Sequence, residues 1–323
     1  MKTFANYSAK SFADASQAAA KPNAAIAGGG SDLLQLVKDH LVEPDTIVHL
    51  KGIKGADQIR EAADGVHIGG LVTLDNLSQH ALIRRDYKVL ADAAGSVATP
   101  QIRNVGTLAG NLSQRPWCWY FRNGFPCYKN GGKQCFSVVG ENEFHAIFGG
   151  GPSYIVHPSD TAPALVALGA SFKILGAKGE RTVAAADFFQ GPKEDPAKET
   201  VLAHGDVLTE IVIPKAKPGT KSLYHKVLDR EAWTHAVVSA AIVLEMDGTT
   251  CKLARVVLGG VAPIPWRVEK AEAALVGQRV TDDVAARAAE AALDGARPLA
   301  RNGYKVPLAK TIVRRSILEV AQS

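Results

Sequence analysis

The chain has 323 residues, 46% hydrophobic and 21% charged, a composition that suits a globular protein with two or three domains and a sizeable core. Its formal charge of +5, from 37 basic and 32 acidic residues, gathers into no single-sign block, so no nucleic-acid surface is expected. The longest apolar run, Ala236 to Leu244, falls far short of the roughly 20 residues of a membrane span, and no export signal is visible at the N-terminus, so the sequence reads as cytoplasmic unless a signal-bearing partner co-exports it to the periplasm.

In chain order, a helix is expected over Ser11 to Ala20, then a short apolar strand, Ala24 to Ala27. The strand runs into Gly28-Gly29-Gly30-Ser31-Asp32 and a helical period from Leu33 to Lys38. Strand, glycine turn and helix start is a layout in which free backbone N–H groups hold a phosphate. A flexible turn capped by Ser31 or Asp32 is the structural alternative. The spacing is not GxGxxG, so a nicotinamide cofactor is not indicated.

Strands are expected at Thr46 to Leu50 and Val66 to Gly70, with helices around Asp75 to His80 and Arg84 to Ala94, read together as βα units of a mixed sheet. After Pro100, Ile102 to Val105 leads into Gly106-Thr107-Leu108-Ala109-Gly110-Asn111. Its small residues permit close backbone contact with a ligand, and Thr107 and Asn111 add side-chain hydrogen bonds. Two such bends suit one phosphate-bearing ligand.

Three of the four cysteines, Cys118, Cys127 and Cys135, then fall in a loop rich in Gly, Asn and Lys. With few aliphatic residues, the loop needs something else to order it, and thiolates on a metal or an iron–sulfur cluster would do so. Interleaved aromatics from Trp117 to Phe136 would exclude water. A disulfide would leave one thiol over without an oxidising compartment. A zinc site of three cysteines with His145 or His157 has wider spacing than usual, and unliganded cysteines are a further alternative. Cys251, alone in a strand-like segment, reads as an inert core or edge residue.

Beyond Asp160 a helix (Ala162 to Leu168), a strand (Ser171 to Leu175), a charged loop (Pro192 to Thr200) and a strand edge (Asp206 to Pro214) are expected. Ala216 to Lys221 is turn-rich and marks a domain boundary. The remainder shows strands at Ser222 to Leu228, Ala236 to Glu245 and Cys251 to Gly259, then helices at Arg267 to Leu275, Asp282 to Leu293 and Lys305 to Val320, an α+β unit with antiparallel strands and a helical layer.

AGGGSDLL (Ala27 to Leu34), IRNVGTLAGNL (Ile102 to Leu112), QRPWCWYFR, HPSD (His157 to Asp160), KVLDR (Lys226 to Arg230) and LGGVAPIPWR (Leu258 to Arg267) together carry a resemblance over nearly the whole chain. It resembles the FAD-binding medium subunit of the molybdenum hydroxylases, the xanthine dehydrogenase and aldehyde oxidoreductase family, in the branch with an extra 4Fe–4S cluster. The resemblance implies a mixed α/β, α+β fold: a two-lobed FAD-binding domain of the vanillyl-alcohol-oxidase and CO-dehydrogenase flavoprotein type over 1–216, with lobes of about 1–54 and 55–216 and an iron–sulfur loop at 113–156, then a C-terminal domain over 217–323.

It further implies that Ala27, Gly28, Gly29, Gly30, Ser31, Asp32, Leu33 and Leu34, with Thr107, Leu108, Ala109, Gly110 and Asn111, wrap the FAD pyrophosphate. Asp160, Ile211 and Lys226 would be further cofactor-binding residues. Cys118, Cys127 and Cys135 would hold the cluster. Similar sequences place a fourth cysteine where this chain has Ser153, so oxygen from Ser153, a histidine or water would complete the set.

The implied role is electron transfer from a 2Fe–2S small subunit through FAD to an external acceptor. A large molybdenum-cofactor subunit would oxidise an aldehyde or N-heterocycle, in a heterotrimer or a dimer of heterotrimers. No residue of this chain is expected to be catalytic. A stand-alone FAD-dependent oxidase or dehydrogenase is the alternative, and a zinc scaffold without flavin a third reading.

Overall fold

The structure, a computed structural model, describes residues 1–230 and 234–323. Among the described residues twelve strands form three sheets, and the chain fills them in sequence order. β1 (Ala5–Ser8), β2 (Ala24–Ala27) and β3 (Thr46–His49) make a parallel sheet in the order β1-β3-β2. Parallel neighbours need crossovers, and the helices Phe12–Ala19 and Leu33–Lys38 supply them. The first is capped by Ser11, whose hydroxyl accepts from the Asp14 amide at 3.1 Å.

β4 (Ile59–Ala62), β5 (Gly65–Gly69), β6 (Ser171–Gly176), β7 (Gly179–Ala184) and β8 (Val207–Pro214) form the second sheet in the order β4-β5-β8-β6-β7. Every neighbouring pair is antiparallel. The single mixed sheet of the sequence reading is therefore two sheets, one parallel and one antiparallel. β4 and β7 escape sequence reading because their residues are largely exposed and polar (IREA and GERTVA). Segment 207–214 is central rather than an edge, with Val207, Leu208, Ile211 and Ile213 all buried.

The helix expected over Arg84 to Ala94 is two helices, Ala81–Asp86 and Lys88–Gly95. They break at Tyr87 (φ −135°, ψ 46°). The Tyr87 ring is buried, and its hydroxyl donates to the Pro214 carbonyl at 3.1 Å. Tertiary packing of one aromatic thus outweighs the local helical preference.

β9 (Thr220–Val227), β10 (Val238–Asp247), β11 (Thr250–Gly259) and β12 (Trp266–Arg267) form the third sheet, antiparallel throughout. Helices Glu269–Leu275, Asp282–Ala292 and Lys305–Gln322 cover one face, where Ala240, Ile242, Leu244 and Val256 pack against Leu275, Ala288, Val313 and Ile317. The alternate residues Ala241, Val243 and Val257 turn the other way, into the core shared with the second sheet and helix Thr161–Ala167. The C-terminal unit is thereby fixed to the rest by apolar burial on the second face of its sheet. Among the described residues no helix is long and apolar enough to cross a membrane.

Candidate functional site: a glycine-lined cleft beside a thiol cavity

The two glycine bends meet. A Cβ on Gly29 would lie 1.8 Å from the Val105 carbonyl oxygen, and one on Gly28 would lie 2.6 Å from Thr107 Oγ1. Glycine is required here first so that one loop's backbone can lie against the other's. Gly30 adds a positive φ of 75°. The amides of Gly29, Gly30 and Ser31 make no backbone hydrogen bond among the described residues, so these donors are free for a ligand. On the other bend, Thr107 caps helix Leu108–Leu112, its hydroxyl accepting from the Gly110 amide at 3.2 Å.

Where the bends meet, a cleft of about 900 Å³, partly open to solvent, is lined by Ser31, Asp32, Thr107, Gly110, Asn111 and Asp160 among the residues expected from the sequence. Ala27, Gly28, Gly29, Gly30, Leu33, Leu34, Leu108 and Ala109 do not line it; Ala27, Leu108 and Ala109 are buried and Leu34 is exposed. Ile211 does not line the cleft: its side chain is fully buried in the β8 core. Lys226 does not line it either; it reaches Asp160 at 2.7 Å and the Ser96 carbonyl at 3.0 Å. Asp160 also accepts from the Tyr224 hydroxyl at 2.7 Å; burial, and then the charge of this carboxylate, hold that phenol well above its usual range. The acid and the lysine are thus a buried pair that joins β9 to the cleft floor.

Sequence reasoning missed several lining residues. Trp117, Pro158, Thr234, His235, Val97 and Ala98 also line it, the last in an unusual φ of 43°. Nothing in GSVATP announces that turn. The HPSD motif did hold a signal: Ser159 and Thr161 donate to the Asn111 side-chain oxygen at 2.6 and 2.7 Å. That buried network fixes the rotamer of Asn111 and leaves its amide N–H groups for other partners.

Next to the cleft lies the thiol loop. Cys118, Cys127, Cys135 and Ser153 all line one small cavity, with Tyr120, Phe121, Phe136 and Ile155. All four cysteines are free, and Cys251 is buried in the C-terminal core. Among the described residues no three His, Cys, Asp or Glu side chains converge on a single-ion site. The zinc reading therefore finds no geometric support. Burial pushes the Cys118 thiol up to about 11. His145 Nε2 lies 3.3 Å from Cys118 Sγ, and burial lowers its pKa to about 4.

The loop is not coreless, contrary to the sequence expectation. Tyr120, Phe125 and Phe136 pack on one another with centroids 5.1 to 5.9 Å apart, while Leu36 joins Phe121 and Cys127 in a separate apolar cluster. Aromatic side chains do the work that counting aliphatics overlooked. Charge pins the rest. Lys129 and Glu199, both almost fully buried, pair at 2.5 Å, and Arg115 meets the same carboxylate at 3.1 Å. The charged 192–200 loop carried no sequence signal for this role.

Asp32 joins the two sites. It accepts from Arg122 at 2.7 Å and from the Arg115 amide at 2.9 Å. Arg122 in turn stacks over Trp117, 4.2 Å from the ring centroid, and Trp117, adjacent to Cys118, lines the cleft. The glycine-lined cleft and the thiol loop are thus tied together through Asp32, Arg122 and Trp117.

Comparison with known proteins agrees. Residues 2–216 match the family described as the FAD binding domain in molybdopterin dehydrogenase, and residues 223–320 match the CO dehydrogenase flavoprotein C-terminal domain. The aldehyde oxidoreductase FAD-binding subunit PaoB of Escherichia coli is 36% identical over 99% of this chain and 98% of that protein. The carbon monoxide dehydrogenase medium chain of Afipia carboxidovorans is 31% identical over 90% of this chain and 86% of its own length. Among solved structures, carbon monoxide dehydrogenase from Hydrogenophaga pseudoflava aligns with a TM-score of 0.78 at 27% identity, covering 99% of this chain and 97% of that one. Quinoline 2-oxidoreductase from Pseudomonas putida aligns at 0.77 and 27%, covering 100% and 99%. The chain belongs to the family of FAD-binding medium subunits of molybdopterin-dependent dehydrogenases.

Proposed function

We propose that this chain is the FAD-carrying electron-transfer subunit of a molybdenum hydroxylase that oxidises aldehydes or N-heterocycles. Its partners would be a large molybdenum-cofactor subunit and a small 2Fe–2S subunit, in a heterotrimer or a dimer of heterotrimers. An iron–sulfur cluster of the 4Fe–4S type would sit in the thiol cavity. The reading rests chiefly on one observation: Ser31, the Thr107–Asn111 bend and Asp160 come from three separate stretches of sequence and line one cleft.

The residues fit the cofactor. Free amides of the first bend and the Thr107-capped bend offer uncharged donors for a pyrophosphate without the cost of burying a cation. Asn111, locked by Ser159 and Thr161, offers a positioned amide. The Asp160–Lys226–Tyr224 cluster holds the cleft floor, and Trp117 with Val97, Leu74 and Ile102 supplies apolar wall. Bound FAD would accept electrons singly from iron–sulfur centres and release them in pairs to an acceptor.

The three thiols and the aromatic shell likewise suit a cluster, since thiolate donors in a water-poor pocket are what iron–sulfur cores require. Support for the aldehyde assignment is the E. coli relative, whose name is that of an aldehyde oxidoreductase subunit.

The test is to co-purify the chain anaerobically with its partner subunits, release the flavin for quantification, and add substrate. Aldehyde should bleach the flavin absorbance in the complex and leave it unchanged in the separated chain. Bleaching of the separated chain would favour the stand-alone dehydrogenase, and flavin-free protein would defeat the reading altogether.

A further inference from the structure

We propose, resting on the cluster reading above, that Ser153 supplies the fourth corner of the site, so that the cluster is held by three thiolates and one oxygen and carries one exchangeable iron. The cavity wall decides among the rival donors. Ser153 is buried in the same wall as Cys118, Cys127 and Cys135. His145 is in contact with Cys118 Sγ, yet it lines the neighbouring groove with Trp119, Phe144 and Asp229 instead. His157 lies outside the wall, its ring packed edge-on against Phe189 with centroids 4.7 Å apart. Of the remaining polar side chains in the wall, Lys129 is held by Glu199, Gln134 is exposed, the Tyr120 hydroxyl accepts from the Glu141 amide, and Tyr128 is a half-buried phenol. Ser153 is thus the buried aliphatic hydroxyl in the cavity wall that the three thiols share.

The chemistry follows from the donor set. Iron in a sulfide core prefers soft thiolate ligands, and a serine hydroxyl, with a far higher pKa than a thiol, competes poorly against water and protons. The iron at the Ser153 corner is therefore the one that leaves. One-electron oxidation by an outer-sphere oxidant such as ferricyanide takes the core from [4Fe–4S]2+ to [3Fe–4S]+, with one Fe2+ released to solution and one electron passed to the oxidant. Ferrous ion and a reductant reverse the step. The three cysteines keep the smaller core in place, and the rigid packing around Phe121, Cys127 and Leu36 keeps the cavity from collapsing.

The experiment uses the complete complex, purified anaerobically, as wild type, Ser153→Cys and Ser153→Ala. Iron and acid-labile sulfide of this subunit are measured before and after one equivalent of ferricyanide, alongside its electron paramagnetic resonance spectrum. Wild type should lose about one iron in four with sulfide unchanged, and gain the spin-half signal of an oxidised three-iron core. Ser153→Cys should keep its iron and stay silent under the same treatment. Ser153→Ala should already carry the three-iron core when isolated.

A wild-type site that holds its iron as firmly as Ser153→Cys overturns the proposal, as does iron loss that is equal in both. Full iron retention by Ser153→Ala overturns it as well and directs attention to His145. Absence of both iron and sulfide beyond those of the small subunit removes the underlying cluster reading itself, an outcome distinct from the others.

Discussion

Asp32 of the first glycine bend accepts a hydrogen bond from Arg122 of the thiol loop at 2.7 Å, so one carboxylate belongs at once to the cleft lining and to the loop that carries the cysteines. The Arg122 side chain is almost fully buried, and among the described residues Asp32 is the carboxylate it meets. Removing its partner strands a guanidinium in a poor solvent. Asp32→Ala should therefore destabilise the chain by about 3 kcal/mol, measured by urea denaturation, and should weaken flavin binding and iron retention together. A variant that loses flavin while keeping full stability and full iron would show Asp32 to be a ligand contact only.

The glycines allow a ranking. Gly29→Ala drives a methyl into the Val105 carbonyl, fixed backbone, whereas Gly28→Ala meets Thr107 Oγ1, the end of a side chain that can rotate. Gly29→Ala should cost more than about 3 kcal/mol and yield flavin-free protein, and Gly28→Ala about 1 to 2 kcal/mol with weakened flavin binding. Thermal midpoints and flavin-to-protein ratios check the order. Equal behaviour of the two variants would mean that the loops do not touch as described.

Much of this arrangement was legible beforehand, for identifiable reasons. Ala24–Ala27 followed by Gly28 to Ser31 and Leu33–Lys38 announces itself because strand, bend and helix each carry a local pattern. The C-terminal sheet and helices were read nearly to the residue for the same reason. What stayed hidden is non-local: β4 and β7 lack an apolar face, the Tyr87 break depends on Pro214 far along the chain, and the role of Glu199 depends on Lys129 and Arg115 arriving from another loop. The family resemblance implies Asp160 and Lys226 as cofactor contacts; their pairing with each other does not follow from either position alone.

That pairing sets a third expectation. Asp160 and Lys226 are both nearly inaccessible and 2.7 Å apart, so either alone leaves a buried charge behind. Lys226→Met should destabilise by about 3 to 5 kcal/mol, while Tyr224→Phe, which deletes one hydrogen bond to the same carboxylate, should cost about 1.5 to 3 kcal/mol. The double variant Asp160→Asn, Lys226→Met should be less unstable than the sum of its singles, because no lone charge remains. Additive losses in the cycle would show that the two side chains act separately.

Lys305 gives the chain a pH signature. It is completely buried at the start of the last helix, where its ammonium donates to the carbonyls of Phe144 and Gly260 at 2.9 and 2.7 Å. Burial lowers its pKa from 10.5 to about 7. Between those values the unfolded chain binds a proton that the folded chain does not, so stability rises with pH across the window and is lost as pH falls through it. Between pH 7 and 9 the gain should be about 2 kcal/mol, read as the difference between wild type and Lys305→Met in urea denaturation under reducing conditions. The comparison with Lys305→Met cancels the thiols, whose titration above pH 9 acts in the opposite sense, burial having raised Cys118 and Cys251 to about 11. Parallel pH profiles for the two proteins would mean that Lys305 keeps its ordinary proton affinity, held by its two carbonyl acceptors against the pull of desolvation.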